Sequence, residues 1–191
     1  MTSDDAPLRP SAARQLLVSV PDLGDDNFEQ SVVLVLEHDE AGAFGIVLNH
    51  PSGTEVGEHL EDLPVPLVGP DVFFVGGPVS VGGLLALGRR RLGAEVEHAE
   101  VLDGPVVVVD AQSLVNGLVR GVELVRLYTG YSGWSAGQLD AELAAGAWYV
   151  VEAMPDDVLC SDPEQLWRRV MRRQGGRIAA QGLFPDDVSV N

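Results

Sequence analysis

Lysine is missing from this 191-residue sequence, and all twelve of its basic residues are arginine. Several kinds of active site depend on a lysine amine: the phosphate-binding P-loop, pyridoxal phosphate and other Schiff-base enzymes, protein kinases and serine–lysine hydrolases. The sequence therefore excludes each of these enzyme classes.

Cysteine is almost as scarce, because Cys160 is the single thiol of the sequence. One cysteine cannot form an internal disulfide, a Cys-x-x-Cys pair or a zinc site built from several thiolates. Cys160 lies between an apolar run and a helix start, where a small buried side chain is the expected role and a reactive thiol the alternative. We predict no metal site and no cofactor.

Long hydrophobic runs are absent as well. No apolar stretch approaches the ~20 residues that a membrane helix needs, and the polar N-terminal segment lacks the apolar region of a signal peptide. We therefore expect a cytoplasmic protein with no membrane partner. Residues 1–14, which include Pro7 and Pro10, are predicted to form a flexible tail, and residues 15–191 a single domain.

Positive charge is scarce: 29 acidic residues and 12 arginines give a net charge of −17. Such a protein repels nucleic acid, and the sequence contains no helix-turn-helix signature. One basic cluster, Arg168, Arg169, Arg172 and Arg173, belongs to the last predicted helix. We expect a solvated or internally paired face there, and a docking patch for an acidic partner or nucleic acid is the alternative.

Apolar runs rich in β-branched residues predict eight strands, bounded by glycine, proline and acidic residues. They cover residues 16–20, 31–36, 45–49, 72–79, 83–88, 105–110, 122–128 and 147–153. Helices are predicted at 55–63, 113–120, 135–146 and 162–174, followed by a loop from residue 175 onward. Strands that come mostly in hairpins, with helices scattered among them, favour an α+β fold with a mixed sheet.

The connection of the first predicted hairpin contains Glu37 and His38, followed by two more acidic residues. A carboxylate–imidazole cluster can bind a divalent metal or hold an acid–base pair, although this spacing is not that of a zinc motif. A solvated turn is the simpler interpretation. Asn49 ends the returning strand, and Gly76 and Gly77 lie at the end of the strand predicted over 72–79, where glycines permit a tight turn.

The stretch GYSGWSAGQL combines a glycine-rich turn with a helix start, which is the usual shape of a phosphate site. Local rules explain it without an anion, because Ser135 and Gln138 can form a capping box. Trp134 can also pack on Leu139 as a hydrophobic staple. A structural turn is therefore the first interpretation, and a pocket wall lined by Tyr131, Trp134 and Gln138 is the alternative.

Three blocks follow one another along the sequence in a distinctive order. The first contains Glu37, His38, Gly42, Gly45, Asn49 and Pro51, the second is the Gly-Gly-Pro-Val turn at 76–79, and the third contains Gly133, Trp134, Gly137, Gln138, Leu139 and Glu142. In this arrangement the sequence resembles the AlgH/YqgE-like family of bacterial proteins over residues 16–173. It departs from the family pattern at Asp26, at Asn27 and in the segment 89–98.

The resemblance implies a single mixed domain whose mostly antiparallel sheet curls into a partly open barrel with helices around it. It also implies a cytoplasmic protein. It implies no known reaction, and the regulatory label of the family comes from one member linked to alginate production.

These motifs supply eight candidate pocket residues: Glu37, His38, Asn49, Gly76, Gly77, Tyr131, Trp134 and Gln138. They form no complete catalytic set, so we predict no catalytic residue and favour a regulatory or binding protein with a protein or small-molecule partner. A hydrolase-like enzyme, with its pocket around the hairpin and the glycine pair, is one alternative. A direct DNA-binding regulator is the other, and the net charge disfavours it.

Overall fold

The computed structural model describes residues 11–21, 23–25, 27–60 and 62–182. Within these ranges there are ten strands, five α-helices and two single turns of 3-10 helix. The strands are β1 Gln15–Ser19, β2 Val32–Asp39, β3 Gly42–Val47, β4 Pro51–Glu55, β5 Val72–Val75, β6 Val79–Arg90, β7 Ala99–Asp103, β8 Val106–Val109, β9 Val122–Ser135 and β10 Trp148–Glu152. The helices are α1 Ala111–Val115, α2 Gln138–Ala145, α3 Pro155–Val158, α4 Leu166–Arg173 and α5 Gly176–Gln181, and the 3-10 turns are Val56–Glu58 and Pro163–Gln165.

All ten strands belong to one sheet. Its main path runs in the order β10–β1–β2–β3–β9–β6–β8–β7, and β4 joins it through β5, which lies alongside β9. Neighbouring strands are antiparallel except β5 and β9, which are parallel. The prediction of a single α+β domain with a mixed, mostly antiparallel sheet is confirmed. Over the described residues the path stays open and does not close into a barrel.

The sheet curls, because side chains from distant parts of the strand path meet in one core. Val151 of β10 and Val106 of β8 belong to the same buried cluster, which also contains the apolar face of α4. We call this cluster the inner core. Successive residues of a strand point to opposite faces, and the outer face carries two more clusters: the α1 core around Leu114 and the α2 core around Leu139.

Strand β9 is the longest strand, with 14 residues, and it takes part in both halves of the sheet. It pairs with β5 and β6 along its first part and with β3 at its end. The glycine-rich turn predicted after the strand 122–128 is therefore wrong, since the strand continues to Ser135. Glycine lets the backbones at Gly76 and Gly130 approach closely, because a Cβ atom on Gly76 would lie 2.4 Å from the Gly130 carbonyl oxygen.

The first hairpin has a shorter connection than the sequence predicts. Glu37 and His38 lie within β2, and only Glu40 and Ala41 connect β2 to β3, which begins at Gly42. The hairpin extends beyond its apolar residues because β3 also pairs with β9. This long-range pairing leaves no pattern in the local sequence.

The helices are shorter than the sequence predicts. Segment 55–63 contains one 3-10 turn, and α1 ends before Gly117, whose φ of 70° is a helix-terminating conformation. Asp162 makes no side-chain cap bond, and a 3-10 turn precedes α4. The loop predicted beyond residue 175 was wrong, because α5 forms there. No helix in the described ranges is long and apolar enough to span a bilayer.

Residues 11–14, which the predicted tail includes, contact the sheet. Ala12 is 1% exposed, and its N–H donates to His38 Nδ1 at 3.0 Å. The N–H of Arg14 donates to the Val35 carbonyl oxygen at 2.7 Å. The rest of the predicted tail, residues 1–10, lies outside the described residues.

Candidate functional site

The strand register divides the candidate pocket residues between two faces of the sheet. Glu37 pairs with Phe44 of β3, whereas His38 and Trp134 both pair with Ala43 of β3. Directly opposite residues share a face and adjacent rows point to opposite faces. Tyr131 lies on the Phe44 side, where the two ring centroids are 4.8 Å apart. Glu37 and Tyr131 are therefore separated from His38 and Trp134 by the sheet.

His38 connects three segments of the protein, and its side chain is 7% exposed. Nδ1 accepts the N–H of Ala12 at 3.0 Å, and the His38 carbonyl oxygen accepts the Ser11 hydroxyl at 2.8 Å. Because Nδ1 is an acceptor, the proton of the neutral ring sits on Nε2. Nε2 lies 3.8 Å from a carboxylate oxygen of Asp140 in α2. Both ring nitrogens thus face groups of the protein itself.

Asn49 fixes the backbone at the entrance to β2. Its Oδ1 accepts the N–H of Val32 at 2.8 Å, and its Nδ2 donates to the Gln30 carbonyl oxygen at 2.8 Å. Asn49 is 7% exposed. This amide therefore has a structural explanation that needs no ligand.

The glycine pair packs the start of β6 against β9. The N–H of Gly76 donates to the Thr129 carbonyl oxygen, and its carbonyl oxygen accepts the N–H of Val47, both at 2.9 Å. A Cβ atom on Gly77 would lie 2.3 Å from the Tyr131 carbonyl group. Gly76 and Gly77 thus allow three strands to approach closely, and the Gly76 amide is already bonded.

Trp134 and Gln138 belong to a hydrogen-bonded cluster that fastens α2 to the sheet. One carboxylate oxygen of Glu142 accepts both indole N–H groups, from Trp134 at 2.9 Å and from Trp148 at 2.8 Å. The other accepts the Gln138 side-chain amide at 3.1 Å. Gln138 Oε1 accepts in turn the N–H and hydroxyl of Ser135. The glutamine half of the predicted capping box is therefore present, although α2 begins at Gln138 itself.

Part of the arginine cluster neutralises a buried acid. Asp157 is 2% exposed, and its two carboxylate oxygens accept bonds from Arg169 at 3.1 Å and from Arg173 at 2.5 Å. Arg173 also donates to the Glu152 carbonyl oxygen at 2.6 Å. The internally paired face expected for this cluster is confirmed for Arg169 and Arg173.

A polar network that the sequence did not reveal lies at the start of α1. The Ser113 hydroxyl donates to Asp110 Oδ2 at 2.5 Å and lies 3.2 Å from His98 Nδ1. A carboxylate only accepts, and a hydroxyl has a single proton, so the hydroxyl hydrogen of Ser113 points to Asp110. His98 Nδ1 is then the donor toward Ser113, which leaves Nε2 of the neutral ring as an acceptor. We call His98, Ser113 and Asp110 the α1 network.

Backbone contacts hold the α1 network in place. The N–H of Ser113 donates to Asp110 Oδ2 at 3.2 Å, which makes Asp110 the N-cap of α1. The N–H of Asp110 donates to the His98 carbonyl oxygen at 3.0 Å. His98 has a φ of 57°, a left-handed conformation that costs a non-glycine residue about 1–2 kcal/mol. Strained residues of this kind concentrate at functional sites.

An open cleft of about 630 Å³ lies beside this network, between α1 and strands β6, β7 and β8. We call it the α1 cleft. It is lined by seven apolar and four polar residues: Leu84, Leu85, Ala99, Val108, Val109, Ala111 and Val115, and His98, Glu100, Asp110 and Gln112. Its size and its few placed polar groups are typical of a ligand pocket.

A second cleft, of about 690 Å³, lies beside the first 3-10 turn. It is slightly larger, but among the described residues of its lining only Glu55 and Asp71 have polar side chains. No hydrogen-bonded side-chain network borders it among the described residues. We therefore take the α1 cleft as the candidate site.

Carboxylates dominate the electrostatics of the α1 cleft. The pKa of Asp110 is lowered chiefly by the Ser113 hydroxyl that donates to it. Asp110 is therefore ionised at neutral pH, and Glu100 adds a second carboxylate to the lining. Within the described ranges, no group of three His, Cys, Asp or Glu side chains is placed to hold a metal ion.

One sequence signal could have revealed part of this site. Asp110 follows an apolar strand and precedes Ser113 by three positions, which is a helix-start pattern. No such signal exists for His98, because its contact with Ser113 depends on the pairing of β7 with β8. In the sequence, the segment 89–98 stands out only as a departure from the family pattern.

Known proteins resemble this one over nearly its whole length. A family model described as AlgH-like matches residues 16–179. A UPF0301 protein of Streptomyces coelicolor is 44% identical over 185 residues, covering 95% of this chain and 96% of the relative. A crystal structure from Corynebacterium diphtheriae aligns with a TM-score of 0.82 at 28% identity, covering 92% and 93% of the two chains. The solution structure of the AlgH protein from Pseudomonas aeruginosa aligns with a TM-score of 0.68 at 28% identity, covering 98% and 100%.

Proposed function

The chain belongs to the AlgH-like family, and we propose that it is a binding protein whose ligand site is the α1 cleft. The α1 network carries this proposal, because it fixes two side chains of the lining, those of His98 and Asp110, before any ligand arrives. Preorganised polar groups beside an apolar surface give a pocket both orientation and affinity.

The proton arrangement of the α1 network supports binding over hydrolysis. A serine nucleophile must give its proton to a histidine base. The Ser113 hydroxyl instead donates its hydrogen bond to Asp110, and His98 donates a hydrogen bond to the Ser113 oxygen. The serine is therefore a bridge that orients the two outer groups.

The described contacts add no support to the two alternative functions. The imidazole of His38 lies between the Ala12 N–H and the Asp140 carboxylate, so the hairpin offers no free base to a hydrolase. Arg169 and Arg173 neutralise a carboxylate of their own protein. The net charge of −17 opposes approach to DNA.

Two matched variants, one at the last residue of α1 and one just beyond it, test the proposal. Val115 lines the cleft and is 39% exposed, whereas Leu118 lies outside the lining and is 47% exposed. Val115→Arg should fill the cleft with a long charged side chain and abolish binding, and Leu118→Arg should leave binding intact. Binding is read from NMR amide shifts of residues 98–100 and 108–115 during titration with a library of small fragments. The proposal fails if no fragment shifts these amides, or if Val115→Arg binds like the wild type.

A further inference from the structure

We infer that the α1 cleft selects an organic cation, an amidinium or guanidinium group carried on a compact apolar body. This inference rests on the proposed function and adds the chemistry of the ligand. It follows from the hydrogen-bonding groups of the lining, from their charge and from their fixed positions.

The polar lining of the cleft consists mainly of acceptors. Nε2 of His98 accepts because Nδ1 is committed as a donor to Ser113. Asp110 accepts two bonds from Ser113 on Oδ2 and interacts with the backbone N–H of Gln112, and because a carboxylate offers about four lone-pair sites it keeps accepting capacity. Glu100 adds a carboxylate that can only accept when ionised, and Gln112 supplies the one side-chain amide. A ligand that satisfies this set must bring N–H donors.

The charge of the lining has one sign. Glu100 and Asp110 are its two carboxylates, and none of the eleven described lining residues is an arginine. Hydrogen bonds between ionised partners are roughly twice as strong as neutral ones. The net charge of −17 adds a field that attracts cations and repels anions. The cleft therefore favours a cation over a neutral molecule of the same shape and rejects a carboxylate.

The rest of the lining suits an apolar body. Leu84, Leu85 and Val115 are among the seven apolar lining residues. The acceptors beside them are fixed in advance, since Asp110 caps α1 and its N–H is bonded to the His98 carbonyl oxygen. Little conformational entropy is lost when such a site binds a small rigid cation.

Benzamidine, benzamide and benzoate test the charge preference, because they have nearly the same shape and differ in charge. Titrations followed by the amide signals of residues 98–100 and 108–115 should show benzamidine binding at least tenfold more tightly than benzamide. Benzoate should cause no shift there. Equal affinity for benzamide and benzamidine would refute the cation preference while leaving the α1 cleft as a binding site.

Variants of the two carboxylates test the assignment to this cleft. Asp110→Asn keeps a good helix cap and removes the charge, so the benzamidine affinity should fall by about tenfold. Glu100 makes no bond within the α1 network, and Glu100→Gln should also weaken benzamidine binding several-fold. Asp103→Asn is the matched control, because Asp103 lies on β7 outside the lining. Wild-type affinity in both cleft variants would contradict the inference.

A last comparison identifies the source of the cation. Agmatine represents a free guanidinium compound, and acetyl-Ala-Ala-Arg-Ala-Ala-amide represents an arginine side chain of a peptide. Binding of agmatine alone assigns a small molecule, and binding of the peptide assigns an arginine-containing segment. If benzamidine, agmatine and the peptide all leave the cleft amides unshifted while neutral fragments bind, the inference is wrong and the proposed function stands. If the neutral fragments also leave them unshifted, both are wrong.

Discussion

Arg126 carries a positive charge into the inner core, where it is 1% exposed. Its Nη2 donates to the carbonyl oxygens of Gly69 and Cys160, and its guanidinium carbon lies 4.3 Å from the centre of the Phe74 ring. Its Nε and Nη1, and the hydroxyl of Tyr128, have no hydrogen-bond partner in the described part of the protein. The side chain thus ties two connecting segments to β9 while several buried donors stay unpaired.

Replacing Tyr128 with Phe should leave the free energy of unfolding nearly unchanged, because removing a buried hydroxyl without a well-formed hydrogen bond offsets the loss of its contact with the Arg126 guanidinium. Burial raises the pKa of Tyr128 to about 12, so the hydroxyl is protonated at neutral pH. Tyr149 provides the control: its hydroxyl donates to Gln181 at 2.6 Å, and Tyr149→Phe should lower the same free energy by about 1 kcal/mol. Urea unfolding measures the free energy of unfolding of both variants. A loss in Tyr128→Phe as large as that in Tyr149→Phe would contradict the prediction.

His50 should make stability depend on pH. Burial lowers its pKa below the ordinary value of 6.5, and its Nε2 lies 3.1 Å from the Ser31 hydroxyl. The unfolded protein therefore binds a proton at higher pH than the folded protein, and the contribution of His50 is lost as the pH falls below 6.5 toward the lowered value.

Urea unfolding on both sides of that pH tests the role of His50. His50→Gln should lose less free energy of unfolding on acidification than the wild type, because its side chain does not titrate. His59→Gln, at an exposed histidine, should follow the wild type. The same acid-induced loss in His50→Gln and wild type would show that another group is responsible.

Among the elements, α2 depends most on contacts outside itself. It has eight residues, which is too short for a stable isolated helix. Leu139 and Trp134 are buried in the same core. Phe28 lies against both indoles, with centroid distances of 6.3 Å to Trp134 and 5.3 Å to Trp148.

Glu142→Ala should lower the free energy of unfolding by about 3 kcal/mol, because the N–H groups of Trp134 and Trp148 both lose their acceptor. Glu142→Gln keeps a side-chain oxygen that can accept, and its loss should be smaller. Glu164→Ala, at an exposed glutamate, is the control for removing a negative charge. Thermal unfolding measures the three variants, and a Glu142→Ala protein as stable as the control would argue against the cluster.

The strands were predictable where local residues decide them. The run Val32–Asp39 contains four consecutive buried positions at its start, and its apolar residues predict a strand directly. Residues 130–135 were interpreted as a turn because glycine permits one, yet Gly130 meets Gly76 from a distant part of the sequence. The local sequence shows only that glycine permits either a turn or a close strand contact, and the tertiary contact with Gly76 decides between them.

For the whole molecule, strand β9 is the feature that makes one unit of two half-sheets. It pairs with β3 at its C-terminal end, and at Tyr128 and Thr129 it has β5 along one edge and β6 along the other. The inner core is also shared, since it contains Leu16 and Leu34 from one half and Phe74 and Leu87 from the other. The predicted single domain therefore has a physical basis in one continuous core and one common strand.

The candidate site was less predictable than the fold. Trp134, Gln138 and Glu142 are the most distinctive motif of the sequence, and their contacts explain how α2 is attached. A motif can identify a family through such structural residues without marking a ligand site. His98 and Ser113 belong to no motif, because the sheet brings them together from separate segments.

The shared carboxylate of Glu142 also has an optical consequence. Two of the three tryptophans, Trp134 and Trp148, emit from one hydrogen-bonded cluster in the α2 core, whereas the indole of Trp167 is bonded to the Ser19 carbonyl oxygen beside the inner core. Indole emission is sensitive to the polarity around the ring. The intrinsic fluorescence of this protein therefore reports on the outer and inner cores of the curled sheet at the same time. In a Trp167→Phe variant, only the emission of Trp134 and Trp148 from the outer core would remain.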